Sequence, residues 1–313
     1  MAKGNTAIKY NFNNGTFADT NLVDGLGLEL MKISAKLTSS NGYVGLSIAN
    51  RFLRTILPSD RNVETQLLPD TKFVFPYGDA YWGMLLDNST GYCDEVESFL
   101  IGLGKIDYTF IDCGANYGYM SALMTSEAYG KKPSIAIEPD PGTYLVLQDN
   151  AEINGNRFDL LNRAIYSQSG IMVDMSDAKH EARSILDEDG NVSSGNVETL
   201  ALDDILDWVD EQKNDLVMLK LDVEGVEIDA MKGATELMKR ELIVFYEDHG
   251  ADKNHEVSQY FMQELGMKVY YPHAKNCHEM KNLEDIAGVK TNSRTGYDFL
   301  ATKSEKWLEI ITR

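Results

Sequence analysis

The chain has 313 residues, 43% apolar and 25% charged, enough for a core larger than a minimal domain but too few for two full catalytic domains. Asp and Glu number 49 against 29 Lys and Arg, and the formal charge of -20 repels phosphate backbones and anionic lipid heads, which excludes nucleic acid as an expected partner. No apolar run reaches the roughly 18 residues of a membrane span, and Cys93, Cys113 and Cys277 form neither a disulfide framework nor a metal-binding pair, so a cytoplasmic protein is expected.

Residues 1–21, rich in Asn, Thr and Gly, show no sustained period and read as a loosely packed leader. Apolar periodicity over 22–37 and 43–57, broken by Ser39-Ser40-Asn41-Gly42 and closed by Pro58, predicts two helices joined by a turn. Alternating runs at 63–68 and 72–75 around Pro69-Asp70 predict a small hairpin, and 77–82 is an aromatic connector whose rings read first as packing. Near residue 90 the pattern changes, dividing a 1–90 extension from a 91–313 domain. Strands are expected at 108–112, 133–138, 159–165, 216–222, 242–247 and 268–271, with a late antiparallel strand at 298–302. Helices are expected at 117–129, 141–154, 202–209, 226–239 and 255–265, and the extended stretches 170–175 and 196–200 bracket a polar surface loop at 176–195. The predicted fold class is α/β: a Rossmann-like, mostly parallel central sheet with helices on both faces, a C-terminal antiparallel strand, and an N-terminal helical and hairpin extension.

Three strand ends carry candidate chemistry. Phe110-Ile111-Asp112-Cys113-Gly114-Ala115-Asn116-Tyr117-Gly118 runs from an apolar strand through an acid into a glycine turn that opens a helix. Gly114 and Gly118 remove side chains where backbone must approach a neighbour or ligand, and Asn116 tolerates a left-handed turn. The spacing is Gly-x-x-x-Gly, which lacks the dinucleotide fingerprint and disfavours a nicotinamide enzyme. S-adenosylmethionine (SAM) has no pyrophosphate, and its cationic amino-acid end suits a carboxylate such as Asp112 beside backbone N–H donors. Glu138, in Ile135-Ala136-Ile137-Glu138-Pro139-Asp140-Pro141, stands where an acid takes the ribose hydroxyls, while Asp140 and Pro141 start a helix. Asn150 and Asn154, one turn apart, read as packing residues. Asp222 and Glu224, in Lys220-Leu221-Asp222-Val223-Glu224-Gly225-Val226-Glu227, end a buried strand and should face cofactor and acceptor. A further strand end brings Glu247 and His249, the imidazole being suited to taking an alcohol proton or being merely a surface residue.

On these residues the chain resembles the FkbM methyltransferase family, from Asp112-Cys113-Gly114-Ala115-Asn116-Tyr117-Gly118 through Glu138-Pro139-Asp140-Pro141 to the Lys220–Glu227 run, over roughly 90–250. Thr199-Leu200-Ala201-Leu202-Asp203-Asp204 and Glu247 fit the same pattern, whereas Cys113 stands where a small apolar residue is more usual. The resemblance implies SAM as cofactor, bound around Asp112, Gly114, Asn116 and Gly118 with Glu138 on the ribose, and methylation of an oxygen on a sugar, a polysaccharide precursor or another small molecule. Residues 1–90 lie outside the resemblance and are expected to shape the acceptor site. His249, Asp222 and Glu247 are the candidate bases, and no metal is expected, although an acid cluster holding a divalent ion is the alternative. A nicotinamide oxidoreductase and a non-catalytic binding module are the rival readings, and no residue pattern sets an oligomeric state.

Overall fold

The structure, a computed structural model, describes residues 7–88, 94–174, 195–273 and 277–312. Cys93 and, apart from Gly195, the expected loop at 176–195 lie outside the described residues. The chain forms two compact units, Met1–Asp94 with Leu145–Asn156 and Glu95–Tyr144 with Arg157–Arg313.

In the first unit, β1 (Ile8–Asn11) and β2 (Thr16–Ala18) form a hairpin where the sequence suggested a loose leader. Ile8 and Tyr10 turn inward while Lys9 and Asn11 face solvent, a period of two that lasts only four residues and is diluted by the polar turn that follows. That turn closes through Gly15 at φ 67° and the Asn14 side chain, which accepts the Thr16 N–H at 3.1 Å. Then come α1 (Leu22–Ser39), capped by the Asn21 side chain on the Asp24 N–H, and α2 (Leu46–Ile56). β3 (Asn62–Leu68) pairs antiparallel with β4 (Thr71–Pro76) and parallel with β1, giving the sheet order β2-β1-β3-β4. Tyr77 and Trp82 of the aromatic connector are core residues, the Trp82 ring lying edge-on to Phe73 with centroids 4.8 Å apart.

The second unit begins with α3 (Asp94–Gly102) and β5 (Tyr108–Cys113), then α4 (Tyr119–Met124), β6 (Ser134–Ile137) and α5 (Pro141–Ile153). It continues through β7 (Asp159–Leu161), β8 (Ala164–Ile165), β9 (Met172–Val173), β10 (Val197–Leu200) and α6 (Leu206–Glu211). After β11 (Leu216–Leu221), α7 (Glu227–Lys232), β12 (Glu241–Glu247) and α8 (Glu256–Gln259) come β13 (Lys268–Tyr271), β14 (His278–Met280), α9 (Leu283–Val289), β15 (Asp298–Thr302) and α10 (Glu305–Ile311). The main sheet has the order β14-β13-β15-β12-β11-β5-β6-β7, with β12, β11, β5, β6 and β7 parallel and β15 antiparallel to both its neighbours. This is the expected mostly parallel α/β sheet with its late antiparallel strand. The central strands are buried on both faces, which is why they read as unbroken apolar runs and not as alternating ones.

The single strand expected at 159–165 is two, because Asn162 turns its amide back onto the carbonyls of Glu138 and Pro139 at 2.8 and 2.9 Å and sends β8 into a separate sheet with β10 and β9. The helix expected over 226–239 stops at Lys232: a side chain at Gly233 would lie 2.6 Å from the Tyr166 carbonyl, and the chain turns there. Asn150 and Asn154, in the part of α5 that belongs to the first unit, pair with the backbone of Val74 and Lys72 in β4. Each amide supplies both donor and acceptor, so two otherwise open backbone positions of the edge strand are satisfied.

Candidate active site

β5 is buried along its whole length, and the chain must leave it at the C-terminal edge of the sheet. It does so through left-handed residues, Gly114 at φ 77°, Asn116 at φ 53° and Gly118 at φ 81°, the last opening α4. Gly114 has to be glycine, because a Cβ would lie 1.7 Å from the carbonyl oxygen of Asp222 at the neighbouring end of β11. On the other side the N–H groups of Gly114 and Ala115 both donate to Ile137 of β6 at 3.0 Å. The glycine turn is thereby fixed between two strand ends.

Glu138, just past β6, receives the Asn116 N–H on Oε2 and the Asp140 N–H on Oε1, each at 2.9 Å, and so joins the glycine turn to the next helix. Only 6% of it is exposed. Burial pushes its carboxyl up to about 8, opposed by these two donors, which favour the anion.

Asp112 is closed off from solvent, its Oδ2 accepting from Ser121 Oγ at 2.7 Å. Its Oδ1 has no hydrogen-bond donor and faces the Lys220 ammonium at 3.6 Å, as the β11–β5 register requires. Lys220 also meets Asp222 Oδ2 at 3.0 Å. Burial alone would discharge Lys220, but Asp222 and Asp112 outweigh it and hold the ammonium above its ordinary range. Its charge also reaches Glu138 and Asp298, so one buried cation serves four acids from four strands or strand ends. Asp112 thus lies buried beneath the turn, between Ser121 and Lys220, at the strand end where the sequence leads one to expect a cofactor contact.

Beyond β11 the loop passes through Glu224 at φ 56° and Gly225 at φ 98°, held by Glu227, whose Oε1 accepts the N–H groups of Gly225 at 3.1 Å and Val223 at 3.3 Å. Glu247 closes β12 opposite Asp298 of β15, over Gly296, where a Cβ would fall 1.3 Å from its carboxylate. Asp222, Glu224 and Glu247 each bring an oxygen within 4.8 Å of the other two, a spacing that a divalent cation or a shared proton can bridge. Burial first, then Asp222, Asp298 and Glu224, raise the Glu247 carboxyl far above the usual carboxylate range, and it is hydrogen-bonded to Asp222. Burial and Asp222 push Asp298 up to about 7, with Lys220 opposing.

His249 follows Glu247 by two residues in the loop after β12. It is exposed, and its Nδ1 accepts the Ala251 N–H at 3.1 Å, which engages one ring nitrogen in a local turn. The residue before it, Asp248, is buried and anchors the same loop through an ion pair with Lys290 and a hydrogen bond from Ser258. Lys220, Ser121 and Asp298 are site residues that the sequence reading passed over. Lys220 had a signal, a charge inside the apolar run of β11, whereas Ser121 and Asp298 become informative only once α4 and β15 are placed.

A family model described as the methyltransferase FkbM domain matches residues 112–269, half of the chain, and includes the ends of β5, β6, β11 and β12, with Asp298 of β15 beyond it. No curated protein matches the sequence. Among solved structures, the methyltransferase FkbM of Methylobacillus flagellatus KT aligns at 16% identity and a TM-score of 0.39, over 62% of this chain and 43% of its own, so the chain spans less than half of that relative. A precorrin-6y C5,15-methyltransferase of Geobacter metallireducens GS-15 aligns at 14% identity and a TM-score of 0.36, over 66% of this chain and 88% of its own.

Proposed function

Because the chain belongs to the FkbM methyltransferase family, we propose that it transfers a methyl group from SAM to a hydroxyl of a sugar, a glycan precursor or another small molecule. The observation that carries this reading is the sharing of Lys220 among acids from neighbouring strand ends around the Gly114–Gly118 turn. The donor set suits SAM: the left-handed turn offers backbone, Glu138 offers carboxylate lone pairs toward a ribose diol, and Asp222 and Glu224 offer negative charge toward a cationic amino-acid end. SAM, when bound, supplies an electrophilic methyl on a sulfonium. The protein's work is then to hold an acceptor oxygen near attack distance and remove its proton.

Of the candidate bases, the Asp222–Glu247 pair has the better support. Burial and the neighbouring Asp222 hold the Glu247 carboxyl far above the usual carboxylate range, so it keeps its proton, and Asp222 lies within reach of both Glu247 and the Lys220 ammonium. His249 is placed second, since its exposure leaves it near ordinary solvent and one nitrogen is engaged. The expectation that no metal takes part rests on the absence of a paired His–carboxylate spacing in the sequence, and the Asp222, Glu224 and Glu247 oxygens are the place where a divalent ion would bind if that expectation fails. Activity that survives dialysis against a chelator is the expected outcome, and activity lost and then restored by Mg2+ would place a divalent ion on Asp222, Glu224 and Glu247 instead.

The deciding experiment is incubation of the enzyme with SAM and a metabolite or glycan extract, read by mass spectrometry for a gain of one methyl group. Calorimetry with SAM and with NAD separates this reading from a nicotinamide oxidoreductase, and SAM binding without turnover on any acceptor pool would favour a non-catalytic module.

A further inference from the structure

α1 is apolar on two faces. One face, with Leu28, Met31 and Ala35, is buried in its own unit. On the other, Val23, Leu26, Leu30, Ile33 and Leu37 follow one another at intervals of three and four residues and stand open, Leu37 at 75%. A helix apolar on both sides is built to be covered on both, and the three-four interval is that of a helix–helix seam. α2 packs against α1 and has an open apolar row of its own, Ile48, 72% exposed, Phe52 and Ile56, one turn apart. Across the two helices, on the order of 1,000 Å² of apolar side chain is open, above the few hundred Å² that a monomer ordinarily leaves and enough for one side of a stable interface, about 800 Å².

We propose that this helical hairpin is the face on which a second copy of the chain docks, two hairpins closing into a four-helix bundle about a two-fold axis. The stripe on α1 is nearly symmetric about Leu30, with apolar residues three or four and seven positions away on either side, so an antiparallel copy meets it with matching side chains. Charge favours the same occupant. The hairpin, residues 22–57, carries Lys32, Lys36, Arg51 and Arg54 against Asp24 and Glu29, so the whole of the net -20 lies outside it and only a small charge opposes a second copy there, while the net negative charge of the whole chain works against an anionic lipid surface.

Sedimentation velocity of the full chain, over about 1–50 µM, should give a species of twice the 35.0 kDa chain mass. Leu30→Asp and Phe52→Asp, both at exposed positions, should keep the helical circular dichroism and raise the dissociation constant at least about 100-fold, leaving monomer throughout that range, while Leu30→Ile keeps the dimer. A wild-type chain that sediments at the single-chain mass throughout overturns the proposal, as does a dimer indifferent to both Asp variants. Flotation with neutral or anionic vesicles by a monomer, abolished in Leu30→Asp, would assign the face to lipid and equally overturn it.

Discussion

Glu138 joins three elements through one carboxylate, and its burial gives it a pH response that an exposed acid would lack. If it accepts hydrogen bonds from a ribose diol, it must be ionised, so below pH 8 cofactor binding has to expel its proton. SAM affinity, measured by calorimetry, should therefore rise with pH by up to about tenfold per unit below about 8 and then level off. Glu138→Ala should weaken SAM by about 1–3 kcal/mol and abolish that pH dependence, and unchanged affinity in the variant would remove Glu138 from the ribose. Asp222 and Glu247 carry a different expectation. Asp222→Asn should lower turnover by about 10²–10⁴-fold, with SAM binding changed little if Asp222 is the base and weakened if it instead meets the amino-acid end. His249→Ala should cost far less than Asp222→Asn, and the reverse ranking would return the base to the imidazole.

At the scale of elements, the site depends on two close approaches that tolerate little change. Gly114 lies where β5 and β11 nearly touch, so Gly114→Ala must push the Asp222 carbonyl away or break the turn, and it should reduce both SAM affinity and the unfolding midpoint. The rim after β12 is held from below by the buried Asp248–Lys290 pair, which also engages the Asp252 carbonyl and His255. Lys290→Ala leaves Asp248 charged and unpaired in the interior, and chemical denaturation should show a loss of about 3–5 kcal/mol. A near-neutral change there would mean that the loop opens readily to water.

For the molecule as a whole, burial raises the pKa of Glu138 to about 8 and of Asp298 to about 7 from 4.5 and 3.8, so the folded chain binds more protons than the unfolded chain across that interval. Their contribution to stability is complete below their unfolded values and is lost as pH rises through the folded ones. The thermal midpoint of the cofactor-free protein should therefore fall between pH 5 and pH 8, and a Glu138→Gln, Asp298→Asn double variant that still folds should show a flatter profile. A midpoint that climbs over this interval would contradict the burial of these acids. No helix among the described residues is long and apolar enough to cross a membrane.

By itself, the sequence determined the mostly parallel sheet, the family, and the strand ends that bear Asp112, Glu138, Asp222 and Glu247, because buried strands read as apolar runs and acids at their ends stand out against them. It determined the packing role of Asn150 and Asn154 and the two helices of the hairpin for the same reason, that local period and spacing reflect local geometry. Only the tertiary structure decided that β7 and β8 belong to different sheets, that Ile8–Asn11 is a strand beside β3, and that Lys220 reaches Asp112 while His249 faces solvent. Those outcomes depend on contacts between residues tens to more than a hundred positions apart, and on which side of a strand end a side chain leaves. Neither is written in the order of neighbouring residues.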